Sequence, residues 1–265
     1  MNKVTAFIKD IFTPNKQLKQ NKQLLVLTIW VATVLIYWTF SHTQLLPSLP
    51  NIWEATKGLF ANGFLAELLS SIWLCAKGMF WATIISLVIA YLAVMPFFRP
   101  FTAFVGKARF MTTIGLTFLF ALICKDTTSQ KVALLVFGIT VFHVTSISAI
   151  ISSVTKAELD YARTLKKSEW ETVWEVIILG KADQVLDVIR QNFAIAWMML
   201  AMVENLCRSE GGIGVILNDQ NKVFHLDAVY AIQIMILILG MFFDWMLGFV
   251  RKTLCPYAYI TLERK

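Results

Sequence analysis

Apolar residues gather into six long runs, at 24–40, 66–95, 102–124, 132–153, 188–206 and 227–250. Each is near or above the ~20 residues a helix needs to cross a ~30 Å hydrocarbon core. The first run is the shortest. The second is long enough to tilt or to extend beyond the bilayer. The pattern predicts an all-α chain with about six transmembrane helices.

The connections are polar and mostly short, with one exception between the fourth and fifth runs. Residues 160–180 read DYARTLKKSEWETVWEVIILG. Ser168 and Glu171 stand at the spacing of a capping box, in which a serine accepts from the N3 amide and the glutamate reaches back to the cap. Trp170, Val173, Trp174, Ile177 and Ile178 then fall at i, i+3, i+4, i+7 and i+8, one apolar stripe on a helix. Gly180 is a natural stop. Upstream, Leu159, Ala162 and Leu165 make a second, weaker helical face. The segment predicts helix, tight break at about Lys166–Lys167, then helix. One reading is an amphipathic hairpin lying on lipid headgroups. The other is a docking element for a soluble partner. Docking is favoured by a polar face of mixed sign (Glu169, Glu171, Glu175) and by a short charged break that can form a tip. On that reading the stripe packs on the spans or membrane while the tip faces the partner.

Two smaller patterns flank the first span. Val4, Phe7, Ile8, Ile11 and Phe12 share a helical face before Pro14, which predicts an interfacial helix near the N-terminus. The apolar run begins late and no small-residue cleavage site follows, so no cleavable signal peptide is expected. After the span, SHTQLLPSLPNIWEATKGLFANG carries an amphipathic stretch with Trp53, which predicts a short helix at the outer surface.

Composition agrees with the pattern. The 265 residues are 57% hydrophobic and 15% charged, with 20 Phe, 9 Trp and a mean hydropathy of +0.65. A soluble domain carries about 25% charged residues, so this is a polytopic membrane protein. The net charge of +7 is explained by basic loops on one side of the membrane rather than by nucleic acid. With the N-terminus inside, 18 of the 24 Lys and Arg residues fall in cytoplasmic segments, five fall outside, and Lys77 lies within a span. Both ends are then cytoplasmic.

Candidate chemistry is sparse. The chain contains no P-loop, H-E-x-x-H or G-x-S-x-G pattern. Cys75, Cys124, Cys207 and Cys255 have no metal-ligand spacing and read as small apolar residues. His143, in the fourth span, is either a proton site or a hydrogen-bonded structural histidine, and the lack of an ionisable neighbour in sequence favours the latter. Glu204, near the outer end of the fifth span, needs a partner or water. Arg208 lies at i+4 from it and could join it in an outer gate, or Glu204 could simply anchor the end of the span. Lys77 could attract an anion, or pair with Glu204 or Asp244. Glu67 reads as interfacial.

These features together resemble the permease subunits of bacterial ABC importers, of the nitrate/sulfonate/taurine-type group. Asp160-Tyr161-Ala162 stands at that family's E-A-A, Arg163-Thr164-Leu165 continues it, and Lys166 occupies the place of its glycine. Ile177-Ile178-Leu179-Gly180 stands where a run ending in L-P belongs. LLPSLPNIWEA, FLAELLSSIW, AMVENLCRSEGGIGVIL and HLDAVYAIQIMILIL are similar to further family segments in the same order, over roughly residues 45–255. GKARFMTTIGLTF, in contrast, lacks the prolines that relatives carry between the second and third spans.

The resemblance implies a type I-like importer fold in the bacterial inner membrane. Residues 1–23 would be a cytoplasmic segment, 24–255 the permease domain with a coupling loop at about 156–182, and 256–265 a cytoplasmic tail. It implies a second permease copy, two ATPase subunits that hold the ATP and Mg, and an extracytoplasmic binding protein. This chain itself would hold no cofactor. Asp160, Ala162, Arg163, Leu165, Lys166, Lys167, Ser168 and Glu169 would form the ATPase-coupling surface, with Lys77, Glu204 and Arg208 in the pathway or outer gate. The solute would be a small anion such as nitrate, sulfonate or taurine, or a small heterocyclic vitamin precursor. Without the glycine, the tip could continue as helix through Lys166. Two other classes compete. An ion-coupled secondary transporter predicts Gly/Pro-broken spans and a midplane ionisable cluster, neither evident in the sequence. A membrane scaffold would have no need of the helix–break–helix loop.

Overall fold

A computed structural model describes residue 13 and residues 20–40 and 46–259. The interfacial helix expected over residues 4–12 and most of the 256–265 tail lie outside the described residues. The chain divides into two compact units, Met1–Glu54 and Ala55–Lys265.

In the first unit, α1 (Gln20–Phe40) is apolar on all sides and its membrane-length window is unburied. Trp38 Nε1 donates to the Pro47 carbonyl at 3.0 Å. Helix α2 (Leu49–Ala61) carries Trp53, as the amphipathic pattern predicts, and runs into the second unit.

The second unit is a helical bundle of α3 (Phe64–Leu92), α6 (Thr127–Ser152), α9 (Ala182–Leu206) and α11 (Leu226–Leu254). With α1 these are, among the described residues, the five helices long and apolar enough to cross a membrane. Their bounds match the apolar runs to within four residues, except that α6 and α9 start five and six residues early. A stripe of small residues on α3 (Ser71, Cys75, Gly78, Ala82, Ser86, Ala90) is buried and lets the helices approach closely. A Cβ on Gly78 would lie 3.2 Å from the Leu135 side chain on α6. Leu74, Leu134, Ala196, Leu200 and Val203 complete the core between α3, α6 and α9.

The third apolar run is not one straight helix. Residues Pro96–Phe110, which include α4 (Arg99–Lys107), meet α5 (Thr113–Ile123) at 111°. Helix α5 has 11 residues and covers only about 16 Å, half the hydrocarbon core. The break sits at Met111 and Thr112, both extended, with ψ of 135° and 132°. No proline or glycine occupies those two positions, so the usual punctuation was missing from the sequence.

His143 is fully buried on α6, with Nδ1 3.1 Å from the Ile139 carbonyl, in keeping with the structural reading. Cys75, Cys207 and Cys255 are buried and all four cysteines are free. Among the described residues no His/Cys/Asp/Glu cluster could hold a metal ion.

Candidate coupling loop and carboxylate cluster

Between α6 and α9 the chain builds a charge-locked pair of short helices. Helix α7 (Lys156–Thr164) opens on a capping box: Thr155 Oγ1 accepts from Glu158 N at 3.3 Å, and Glu158 Oε2 accepts from Thr155 N at 2.7 Å. The T-x-x-E pattern was available in the sequence but was overlooked beside its neighbour. The Ser168–Glu171 box, which the sequence did predict, opens α8 (Glu169–Thr172) with the same pair of bonds at 3.3 and 2.7 Å. These contacts hold both acids in their charged form. The Thr155 backbone N–H, then Lys181, pulls Glu158 down to about 2, and the Ser168 N–H holds Glu171 below the ordinary carboxylate range.

The break falls at Lys166, where the sequence places it. Helical continuation does not occur: Lys166 adopts φ +59°, the left-handed conformation that suits the family's glycine. An L-residue bears a strain there of roughly 1–2 kcal/mol. Arg163 bridges the two helices across this turn. Its Nε and Nη2 donate to the two carboxylate oxygens of Glu169 at 3.1 and 3.2 Å, and its Nη1 donates to Asp160 at 3.1 Å. Lys167 pairs with Glu175, and Lys181 pairs with Glu158 at 3.1 Å. The Asp160, Arg163, Lys167 and Glu169 side chains are therefore joined within the loop, through its own ion pairs. Lys166 has no ion pair among the described residues. Ala162 is buried, Leu165 and Ser168 are exposed, and Tyr161 is 69% exposed.

The apolar stripe behaves differently from expectation. Residues Val173–Leu179 form a π-helix, so the i→i+5 winding breaks the 3.6-residue register on which the stripe was drawn. Ile177 is buried, whereas Trp170 and Trp174 are 69% and 57% exposed, so of the two surfaces expected for the stripe, spans or membrane, the tryptophans do not use the spans. Gly180 ends the segment with φ −66°, not as a left-handed stop. It is glycine for another reason: a Cβ would lie 2.5 Å from the Val176 carbonyl oxygen, which the wider winding brings close.

At the other end of α9 the structure gathers residues that the sequence treated singly. Helix α10 (Ile213–Lys222) follows two glycines with φ of +68° and +118°. Its first amides are capped by side chains from other helices. Gly212 N donates to Glu67 at 2.6 Å, Ile213 N to Ser71 Oγ at 3.0 Å, and Gly214 N to Glu204 at 2.8 Å. Ser71 also donates to Glu204, and Lys131 donates to the Gly211 carbonyl at 2.9 Å. Glu204 and Lys131 are buried at 1% and 3% exposure. The carboxylates face the positive end of a helix, which offsets part of the cost of burial. Gly211 and Gly212 are needed because a Cβ on either would collide with Glu67 or Glu204.

Two pairings expected from the sequence are absent. Arg208 pairs with Asp219, not Glu204, because α9 ends at Leu206 and the helical i+4 geometry is lost. Lys77 is exposed on α3 and lies 5.2 Å from the Trp73 ring centroid, while Asp244 pairs with Arg190. Lys77 and Glu204 do share the wall of a cavity of about 70 Å³ with Lys131 and Glu210. Glu67 is a helix cap, a role that its spacing alone gave no sign of. At the loop end of α9, Arg251 of α11 contacts Asp187 at 2.7 Å and Asp183 at 3.9 Å, and Arg190 reaches Asp187 and Asp244. This network was missed because its members are 54 or more residues apart across the two helices.

The fold is that of an ABC transporter membrane subunit, and the chain is a multi-pass membrane protein. A crystal structure of an amino acid ABC transporter with histidines is similar over 73% of this chain and 95% of its own, with a TM-score of 0.61 and 15% identity. No family model and no curated protein matches the sequence.

Proposed function

We propose that the chain is the permease subunit of an ATP-driven importer in a bacterial inner membrane, with both termini in the cytoplasm. The loop at 155–181 docks on a separate ATPase, which holds the ATP and Mg. A second copy of the chain completes the pathway, and an outer binding protein delivers a small solute, of the anionic or heterocyclic kind that the sequence resemblance implies. The observation that carries this reading is the loop itself, on an ABC-permease fold: two capped helices locked by Arg163 present Lys166, Tyr161, Leu165 and Trp170 to solvent. Such a rigid element transmits force, and its exposed aromatic and aliphatic groups suit a protein groove better than water. Asp160, Arg163, Lys167 and Glu169 hold its shape. Ser168 caps the second helix and Ala162 packs beneath the first. Lys166 and Leu165 are the contact residues.

Helix α9 leaves the loop directly and carries Glu204 at its far end, so movement of the loop has a continuous route to the Glu67–Ser71–Glu204 cluster. Closure of the ATPases would bias a two-state arrangement of the spans through this helix. The test is detergent extraction of the tagged chain from its own cells. A P-loop ATPase is expected to co-purify, to be lost with Lys166→Glu, and to hydrolyse ATP faster in proteoliposomes when solute and binding protein are added. An ion-coupled transporter is the second reading, favoured by the break at Met111–Thr112 and by buried Glu204 beside Lys131. Uptake driven by an ion gradient, with no ATPase recovered, would establish it instead.

A further inference from the structure

A cavity of about 750 Å³ lies where the end of α3, α4 and the second half of α6 meet Leu159 and Ile177 of the loop. Three cations line it: Arg99, Lys107 and Arg109. Thr145, Ser148 and Ser152 line the same cavity, and no carboxylate belongs to the wall. None of the three cations has an acidic partner among the described residues. Arg99 makes one long bond, 3.4 Å, to the Ala93 carbonyl, and the Arg109 guanidinium lies 5.2 Å from the Phe110 ring centroid. The Ser148 hydroxyl is buried without a hydrogen-bond partner. A buried hydroxyl without a partner is uncommon and calls for a group to complete it. Three uncompensated cations and a spare donor describe a site for a multivalent oxyanion.

The flank of the cavity indicates where that anion comes from. Phe97, Phe101 and Phe104 recur at helical spacing and are 84%, 51% and 72% exposed. The 111° break turns this segment away from α5, so it cannot continue across the bilayer as one rod with it. A helix with aromatic groups on one side and Arg and Lys beside them lies in the plane of the membrane interface. Basic pockets between transmembrane helices at that depth recognise lipid headgroups. We propose that this cavity binds the phosphate headgroup of an anionic phospholipid, with Arg99, Lys107 and Arg109 neutralising it, Ser148 donating to it, and the phenylalanines of the Pro96–Phe110 segment seated among the acyl chains. The site is independent of whether an ATPase drives the protein.

The test is thermal unfolding of the purified full-length chain in a neutral detergent, followed by tryptophan fluorescence. Dioleoyl phosphatidylglycerol is compared with dioleoyl phosphatidylcholine at the same mole ratio, and inorganic phosphate is added in a separate arm. Phosphatidylglycerol is expected to raise Tm by about 3–5 °C beyond phosphatidylcholine, the size of shift given by a saturating ligand. The triple variant Arg99→Gln/Lys107→Gln/Arg109→Gln should lose most of that difference. Equal shifts from the two lipids in the unaltered chain would overturn the proposal without recourse to any variant. So would a preference for phosphatidylglycerol that survives the triple substitution. If inorganic phosphate at millimolar concentration reproduces the whole shift, the oxyanion site stands and its ligand is free phosphate, not lipid.

Discussion

Lys166 holds a conformation that its side chain disfavours. The φ of +59° satisfies the turn between α7 and α8, and the Arg163 bridge, the two capping boxes and the Lys167–Glu175 pair hold the turn closed. Lys166→Gly should therefore stabilise the chain by about 1 kcal/mol, seen as a rise in Tm, while removing the one tip cation without an ion pair. If Lys166 also contacts a partner, the same variant gains stability and loses ATPase recovery. Opposite movement of the two readouts distinguishes docking from folding. At the far end of α9, Glu204 accepts from Gly214 N and Ser71. Glu204→Ala leaves both donors buried and unpaired and should cost about 1–3 kcal/mol, measured by denaturation in detergent. Glu204→Gln should cost clearly less, because its carbonyl still accepts from Gly214 and its amide can donate to Ser71 once that hydroxyl turns. Glu204 was legible in the sequence as an acid in need of a partner. Its partners were not, since Ser71 and Gly214 are brought together only by the packing of α3 and α10 on α9.

Short elements follow local rules where the rules are local. The Ser168–Glu171 box and the break at Lys166 could be read from a few residues each, and both are in place. The π-helix could not, because the apolar spacing of residues 170–178 fits an ordinary helix and carries no mark of the wider winding. Gly180 is the exposed trace of that winding. Gly180→Ala would drive a methyl group into the Val176 carbonyl, so hydrogen exchange at residues 173–180 should rise sharply while exchange in α3 and α6 stays slow. The first capping box carries a pH dependence. Glu158 is held at about 2 against an ordinary 4.5, so its charged form is favoured by the folded loop. Its contribution is complete above pH 4.5 and is lost as pH falls toward 2. Proteolysis within residues 156–170 should therefore accelerate between pH 4.5 and 2 in the unaltered chain, with an acid-active protease. In Glu158→Gln, which keeps the box without the charge, the rate should be raised already at pH 6 and change less on acidification.

Across the molecule, α9 joins two regions that the sequence kept apart. Its 25 residues give it a length of about 37 Å, with Glu204 two residues before the end that lies away from the loop. The long spans were legible because hydrophobic length alone defines them, and the broken third run was not, since Met111 and Thr112 carry no breaking residue. The tether between α9 and α11 was also hidden, because ion pairs between distant helices leave no local pattern. Arg251 contacts both Asp183 and Asp187, with side chains that are about one-fifth to one-quarter exposed. Its removal falls between the limits for exposed and buried pairs, about 1–3 kcal/mol. If α9 carries the loop's movement, Arg251→Ala should separate two activities that Lys166→Glu removes together. The tip is untouched, so the ATPase should still co-purify in full. The first turns of α9 are then held to α11 less firmly, by the Arg190–Asp244 pair without Arg251, so a given stroke of the loop moves the Glu67–Ser71–Glu204 cluster less. Solute uptake per ATP hydrolysed should fall several-fold in proteoliposomes, and Asp187→Ala should lower it in the same way. The double variant should lose less than the sum of the two, since the substitutions break the same pair. Uptake per ATP unchanged in Arg251→Ala, with the loss of stability confirmed, would confine this network to holding the bundle together and would leave α9 without its role as the moving link.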